Sequence, residues 1–262
     1  MRNILDLDRY PLDRPDSPEW RALVARCQGD LERGGMFNLD GFLWPEVAQA
    51  ITDALLPRFD SDSFRHEREH NIYFLKDIPG LAPDHPALVR FLTSNNTLCE
   101  DQLGETAMLR LYRWPEFARF LAAVMQQDAL YPMADPLAGL NAMSYNEGQA
   151  LNWHFDRSEF TTTLLLQAPD EGGEFIYRTG LRRDDDPNYE GVARLLQGKD
   201  PEVEILRLTP GTLNVFRGKN TPHRVGDVRG DRARVISVFS FFDRPGVTFS
   251  DDERVGFYGR AG

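Results

Sequence analysis

The spacing of apolar positions divides the chain near Pro136. Upstream, the period is helical. Trp20, Leu23, Val24, Cys27 and Leu31 recur on one face, Asp16 or Ser17 stands where a cap is needed, and Pro18 occupies the first turn. Gly34-Gly35 ends that run. A short strand-like piece, MFNLDGFL, leads to Pro45, after which Val47, Ile51 and Leu55 share a face of a second helix. A third begins at Pro115 and carries Phe117, Phe120, Leu121, Val124 and Met125. These stripes read as core-packing faces.

Downstream of Pro136 the period shortens to two. The segments GLNAMSYN, ALNWHF, FTTTLLLQ, GEFIYR, VEILRL, GTLNVFR, HRVGDV and RARVISVFSFF read as strands. Turn signals separate them at Asn146-Glu147-Gly148, Glu171-Gly172-Gly173, Pro210-Gly211 and Arg229-Gly230-Asp231. So many short strands in succession predict a sandwich or barrel. The charged stretch RTGLRRDDDPNYEGVARLLQGKDPE reads as an insertion with a short helix. The expected organisation is one mainly β domain over residues 1–262, with a mostly helical part and lid over 1–135, a β core over 136–246 and a tail over 247–262.

Composition narrows the function. Hydrophobic residues make up 41% and charged residues 27%, as in ordinary globular proteins. No apolar run approaches the roughly 18 residues that span a bilayer, and MRNILDLDRYPL lacks the apolar core of a signal peptide. A net charge of -11 without a basic stripe disfavours nucleic acid as a partner. Two cysteines, Cys27 and Cys99, support neither a disulfide framework nor a cysteine-rich zinc site. A reduced, cytoplasmic setting with no membrane partner is the expectation.

The candidate chemistry lies in NWHFDRSEF. On a strand, His154 and Asp156 point to one side and Phe155 to the other. Of five histidines, His66, His70 and His85 lie outside the β frame and read as non-ligands, whereas His223 follows the strand GTLNVFR. On an antiparallel neighbour, His223 would complete the two-histidine, one-carboxylate facial triad of non-haem Fe(II) oxygenases, which leaves three positions open. Further on, alternation puts Arg234, Ile236, Val238 and Ser240 on one face, with Val235, Ser237, Phe239 and Phe241 against the helices. A lone guanidinium on an apolar face calls for a carboxylate partner, and a dicarboxylic cosubstrate supplies one. Arg232 shares its parity and is the alternative.

The successive segments YNEGQALNWHFD, TLLLQAPDEGGEFIY, LTPGTLNVFRGKNTPHRV and GDRARVISVFSFFD resemble the strands of 2-oxoglutarate/Fe(II)-dependent dioxygenases from Asn141 to Asp243. That resemblance implies a double-stranded β-helix, or jelly-roll, core packed by the N-terminal helices. It implies His154, Asp156 and His223 as metal and catalytic residues, Arg234 as the anchor for 2-oxoglutarate, and Fe(II), 2-oxoglutarate and O2 as cofactor and cosubstrates. NWHFD, TLLLQ, FRGKNTPHRV and the terminal YGR further resemble a bacterial subgroup of radical halogenases and hydroxylases of free amino acids. Halogenases of that subgroup carry a small residue where this chain has Asp156, so hydroxylation is expected rather than halogenation.

The substrate is less legible. Asn141, Met143 and Tyr145 share one parity, and Tyr145 is a candidate hydrogen-bonding partner of cosubstrate or substrate. Arg157 follows the metal motif, and Arg68 and Tyr73 lie in RHEREHNIYFLKD, expected to fold over the opening. In the resembling subgroup an upstream arginine holds the amino acid, which makes Arg68 the candidate. Acidic groups beside the metal motif hold a cationic side chain there; Arg157 argues against lysine. The expectation is a small-molecule partner, a free amino acid. A prolyl-type peptidyl hydroxylase and a non-catalytic ligand-binding jelly roll are the alternatives.

Overall fold

The computed structural model describes all 262 residues. Ser17 caps α1 (Pro18–Gly34) through a bond from the Trp20 N–H, and Gly35 closes it in the left-handed region at φ 68°. Pro45 and Pro115 likewise open α2 (Pro45–Ser61) and α4 (Pro115–Val124), with α3 (Ala107–Tyr112) between them.

Two sheets face one another. The strands are β1 (Met36–Leu39), β2 (Phe64–His70), β3 (Phe91–Leu98), β4 (Leu140–Tyr145), β5 (Leu151–His154), β6 (Thr161–Gln167), β7 (Phe175–Tyr177), β8 (Glu204–Leu206), β9 (Leu213–Phe216), β10 (His223–Val225) and β11 (Arg234–Phe239). The major sheet runs β1-β9-β6-β11-β4-β3-β2 and the minor sheet β8-β7-β10-β5. Every pairing is antiparallel. This is the expected jelly-roll core with helices on its outer face.

Alternation decides what each face does. Phe37, Leu39, Leu98, Leu140, Leu164, Leu213, Val235 and Phe239 join the helices in the main hydrophobic core. Burying such side chains contributes roughly 1.5–3 kcal/mol each. The opposite parity of the same strands looks toward the minor sheet. On β11, Arg234 pairs with Tyr145 and Ile236 with Met143, while Val235 and Phe239 turn to the helices as expected.

The N-terminal part differs from its helical expectation. β1, β2 and β3 enter the major sheet, two of them as an edge extension. The sequence FRHEREH of β2 has no apolar face because it is an edge, and its charges discourage further strand pairing. Residues 247–262 are more than a tail: Ser250 caps a helix, α6 (Asp251–Tyr258), whose Arg254 reaches buried Asp135 at 2.8 Å. The charged insertion carries the expected short helix, α5 (Tyr189–Leu196), which packs with Phe155 on the outer face of the minor sheet. No helix is long and apolar enough to cross a membrane.

Candidate metal centre

β5 and β10 are neighbours, and their register sets His154 opposite His223. A bulge at the end of β5 adjusts that register between His223 and Val225. The imidazole centroids lie 4.1 Å apart. Asp156, just past β5, turns back toward both rings. Its Oδ1 is 3.4 Å from His154 Nε2, and its Oδ2 is 3.6 Å from His223 Nε2. One ligand atom from each of the three residues falls within 4.8 Å of the others.

Both rings are oriented the same way. His154 Nδ1 is 2.8 Å from the Asn152 carbonyl, and His223 Nδ1 is 3.0 Å from that of Thr221. A carbonyl only accepts, so Nδ1 carries the proton and the Nε2 lone pair faces the shared centre. Burial, reinforced by His154, pushes the His223 pKa down to about 4, so that imidazole is neutral at pH 7. Burial alone would raise the Asp156 carboxyl. The charge that His223 gains on protonation, His154 and the Thr161 hydroxyl outweigh it and hold the carboxyl below the usual carboxylate range, so Asp156 stays ionised. Phe175 stacks on His223 at 5.3 Å and Phe216 meets its edge at 4.7 Å, forming an apolar wall.

Arg234 is 3% exposed, whereas Arg232 is on the surface. Its guanidinium lies 5.7 Å above the Tyr145 ring. Nη1 has no hydrogen-bond partner, and no acidic side chain pairs with the group. A cavity of about 230 Å³ opens beside it, lined also by Leu165, Gly173, Phe175 and Leu206. Phe175 thus borders both this cavity and His223. A buried cation without an internal anion is costly, and an incoming carboxylate relieves that cost.

This donor set, two imidazoles and one carboxylate with a separate buried cation, fits a ferrous ion and a dicarboxylate. The sequence profile of the family described as HalD, Halogenase D, matches residues 96–248. The chain belongs to the Halogenase D family. No curated protein matches it. Among solved structures, this Halogenase D member is similar to an oxidoreductase of the 2OG-Fe(II) oxygenase family from Burkholderia pseudomallei. Identity is 15%, covering 86% of this chain and 92% of that one, with a TM-score of 0.50. It is also similar to the non-heme alpha ketoglutarate dependent epimerase SnoN from nogalamycin biosynthesis, at 16% identity over 85% and 83% of the two chains with a TM-score of 0.57. A Pseudomonas putida prolyl-4-hydroxylase aligns at 14% identity over 82% and 97%, with a TM-score of 0.51. The Halogenase D chain therefore has the fold of the 2-oxoglutarate/Fe(II) oxygenases.

Of the residues singled out for substrate, the structure brings only Arg68 toward this centre. Phe64, His66, Arg68 and His70 pair in register with Thr97, Asn95, Thr93 and Phe91, and Thr97 pairs with Met143. They therefore share the inward face of the major sheet. Tyr73 turns the other way: it stacks on Phe155 at 5.4 Å and donates to the Pro187 carbonyl, outside the minor sheet. Asn141 donates to the Leu137 carbonyl and accepts from the Tyr258 hydroxyl, so its amide is engaged by the fold. Arg157 is exposed and pairs with Glu253 of α6 at 2.9 Å. His66, His70 and His85 lie outside the cluster, as expected.

Sequence reasoning missed Thr161, whose hydroxyl donates to Asp156 Oδ2, and Gly218, whose carbonyl accepts the Asp156 N–H at 3.0 Å. A glycine in FRGKNTPHRV was the available signal for Gly218. Thr161 carried none, because a threonine in a strand is ordinary.

Proposed function

We propose that this protein is an Fe(II)- and 2-oxoglutarate-dependent oxygenase that hydroxylates an unactivated C–H of a free amino acid or related small carboxylate. The observation that carries the reading is the Asp156 carboxylate set between two imidazoles whose Nε2 atoms face it. His154, Asp156 and His223 hold the ion. Arg234 receives the distal carboxylate of 2-oxoglutarate, with Tyr145 beneath the guanidinium.

When bound, iron and 2-oxoglutarate supply dioxygen activation, with the C–H of the substrate becoming C–OH as the cosubstrate leaves as succinate and carbon dioxide. The chain's own residues do the rest. Asn152 and Thr221 fix the imidazole tautomers, Thr161 and Gly218 fix the carboxylate, and Phe175 and Phe216 keep water from His223. With Asp156 as a third protein ligand, the position that a small residue would leave to a halide is filled by a carboxylate. This supports hydroxylation within a family described as halogenases.

Charge supports a carboxylate-bearing substrate. On the inward face of β2 the charged group is Arg68, which forms no ion pair. Glu67 and Glu69 lie on the other face, paired with Arg65 and Arg90. Arg68 is thus available to a substrate carboxylate, whereas a cationic side chain finds no acid on that face.

The test is anaerobic addition of Fe(II) and 2-oxoglutarate, which gives a weak visible charge-transfer band. Oxygen and a panel of free amino acids then yield succinate and a product one oxygen atom heavier. A chlorinated product in the presence of chloride refutes hydroxylation. Full turnover by His154→Ala refutes the ligand assignment.

A further inference from the structure

Beside the metal group lies an aromatic residue that core packing does not explain. Phe74 has φ 56°, a region that bulky side chains rarely adopt. Asn71 imposes it. The Asn71 Oδ1 accepts from the Tyr73 N–H at 3.2 Å and the Leu75 N–H at 3.1 Å, and its Nδ2 donates to the Leu75 carbonyl at 2.6 Å. Its own carbonyl accepts the Phe74 N–H at 3.0 Å. Asn71 and Ile72 are buried, which anchors the turn.

The outcome is a ring projected at the metal group. Phe74 stacks on His70 with centroids 4.2 Å apart and meets the His154 ring at 6.0 Å and 74°. His70 is a fixed platform, its Nδ1 against the Asn71 carbonyl and its Nε2 against the Thr93 hydroxyl. Yet Phe74 remains 38% exposed, and the Arg68 guanidinium lies 5.3 Å from its centroid. Strain kept in a clamped turn, for an aromatic ring left more than a third exposed, points to use of the part of the ring that His70 and Arg68 leave uncovered.

We propose that Phe74 is a specificity-determining residue: the exposed part of its ring is the wall along which the substrate's aliphatic chain lies, with Arg68, whose guanidinium lies over that ring, taking the carboxylate. The proposal rests on the oxygenase reading and names the substrate class as a small carboxylate with an aliphatic chain. Asn71 acts as a positioning residue for Phe74. An amino acid held only by Arg68 would swing about its carboxylate; a flat apolar wall next to His154 limits that swing and aims one carbon.

The experiment uses the full chain loaded with Co(II) in place of iron, plus 2-oxoglutarate. Each proteinogenic L-amino acid is titrated while the visible cobalt absorption is followed. The amino acid that perturbs the wild-type spectrum most tightly becomes the probe. In Phe74→Gly, which relieves the backbone strain, affinity for the probe falls at least about ten-fold, while Co(II) and 2-oxoglutarate bind as in wild type. Phe74→Tyr, which keeps the ring, restores probe affinity. Wild-type probe affinity in Phe74→Gly overturns the proposal, as does loss of Co(II) or 2-oxoglutarate binding in that variant, which marks Phe74 as structural. Failure of the wild-type protein to bind Co(II) and 2-oxoglutarate sinks the oxygenase reading instead. Normal cosubstrate binding with no response to any amino acid sinks the substrate class alone.

Discussion

Gly218 and Asp156 compete for one volume. A Cβ built on Gly218 would lie 2.7 Å from Cγ of Asp156 and closer still to its Oδ2. The same glycine accepts the Asp156 N–H through its carbonyl. The backbone at residue 218 therefore both cradles the carboxylate and must carry no side chain. Gly218→Ala is expected to fold but to displace Asp156 from the imidazoles, lowering divalent-metal affinity roughly 10–100-fold. Calorimetric titration of metal-free protein with Co(II) measures this, and unchanged affinity would count against the proposed ligand role of Asp156.

Arg234 makes a prediction of opposite sign for stability and binding. Its guanidinium is buried without an anion, so Arg234→Met is expected to raise the melting temperature of the cofactor-free protein, by an amount equivalent to about 1–3 kcal/mol. The same variant is expected to lose stabilisation by 2-oxoglutarate, which in the wild type reaches about 2.7 kcal/mol at a hundred times the dissociation constant. Thermal melts with and without 2-oxoglutarate read both effects. A destabilised Arg234→Met protein that still responds to 2-oxoglutarate would refute the anchor.

Acid is expected to weaken the metal-free fold through His223. Burial holds its folded pKa at about 4, below the ordinary 6.5. An unfolded chain then binds a proton that the folded chain refuses. The stabilisation is complete above pH 6.5 and is lost as pH falls toward 4, amounting to about 3 kcal/mol. Urea unfolding of wild type and His223→Gln across that range tests it, the variant losing this part of the pH dependence.

The two thiols are expected to be inert. Burial raises the Cys27 pKa to about 12 and the Cys99 pKa to about 11, and neither side chain reaches solvent. An aromatic disulfide reagent at pH 8 should leave the native protein unmodified over minutes and titrate both thiols in denaturant. Rapid native labelling would show that one of these packed regions opens readily.

How much was legible followed from the range of each interaction. Period and caps act over a few residues, so the helices opening at Pro18, Pro45 and Pro115, and the strands after Pro136, were readable directly. The alternation HFD pointed His154 and Asp156 to one side and Phe155 to the other, which is how they lie although β5 ends at His154 and Asp156 turns back from the loop. The parity of β11 separated Arg234 from Val235. The edge strand β2 was not readable as a strand, because its charges reflect one free edge and two partly open faces rather than a buried one.

The sequence by itself determined the donor types and their parity, because these depend on local periodicity and on which side chains ligate metals; the jelly-roll order it implied only through the resemblance to the dioxygenases. Only the tertiary structure decided that His223 faces His154, that Arg234 rather than Arg232 is buried, and that Phe74 rather than Tyr73 borders the metal group. Those outcomes depend on register between strands far apart in the chain and on the handedness of one turn. Adjacent residues such as Tyr73 and Phe74 offer the same chemistry to a reader of the sequence. The left-handed backbone at residue 74 sends their rings to opposite sides of the minor sheet.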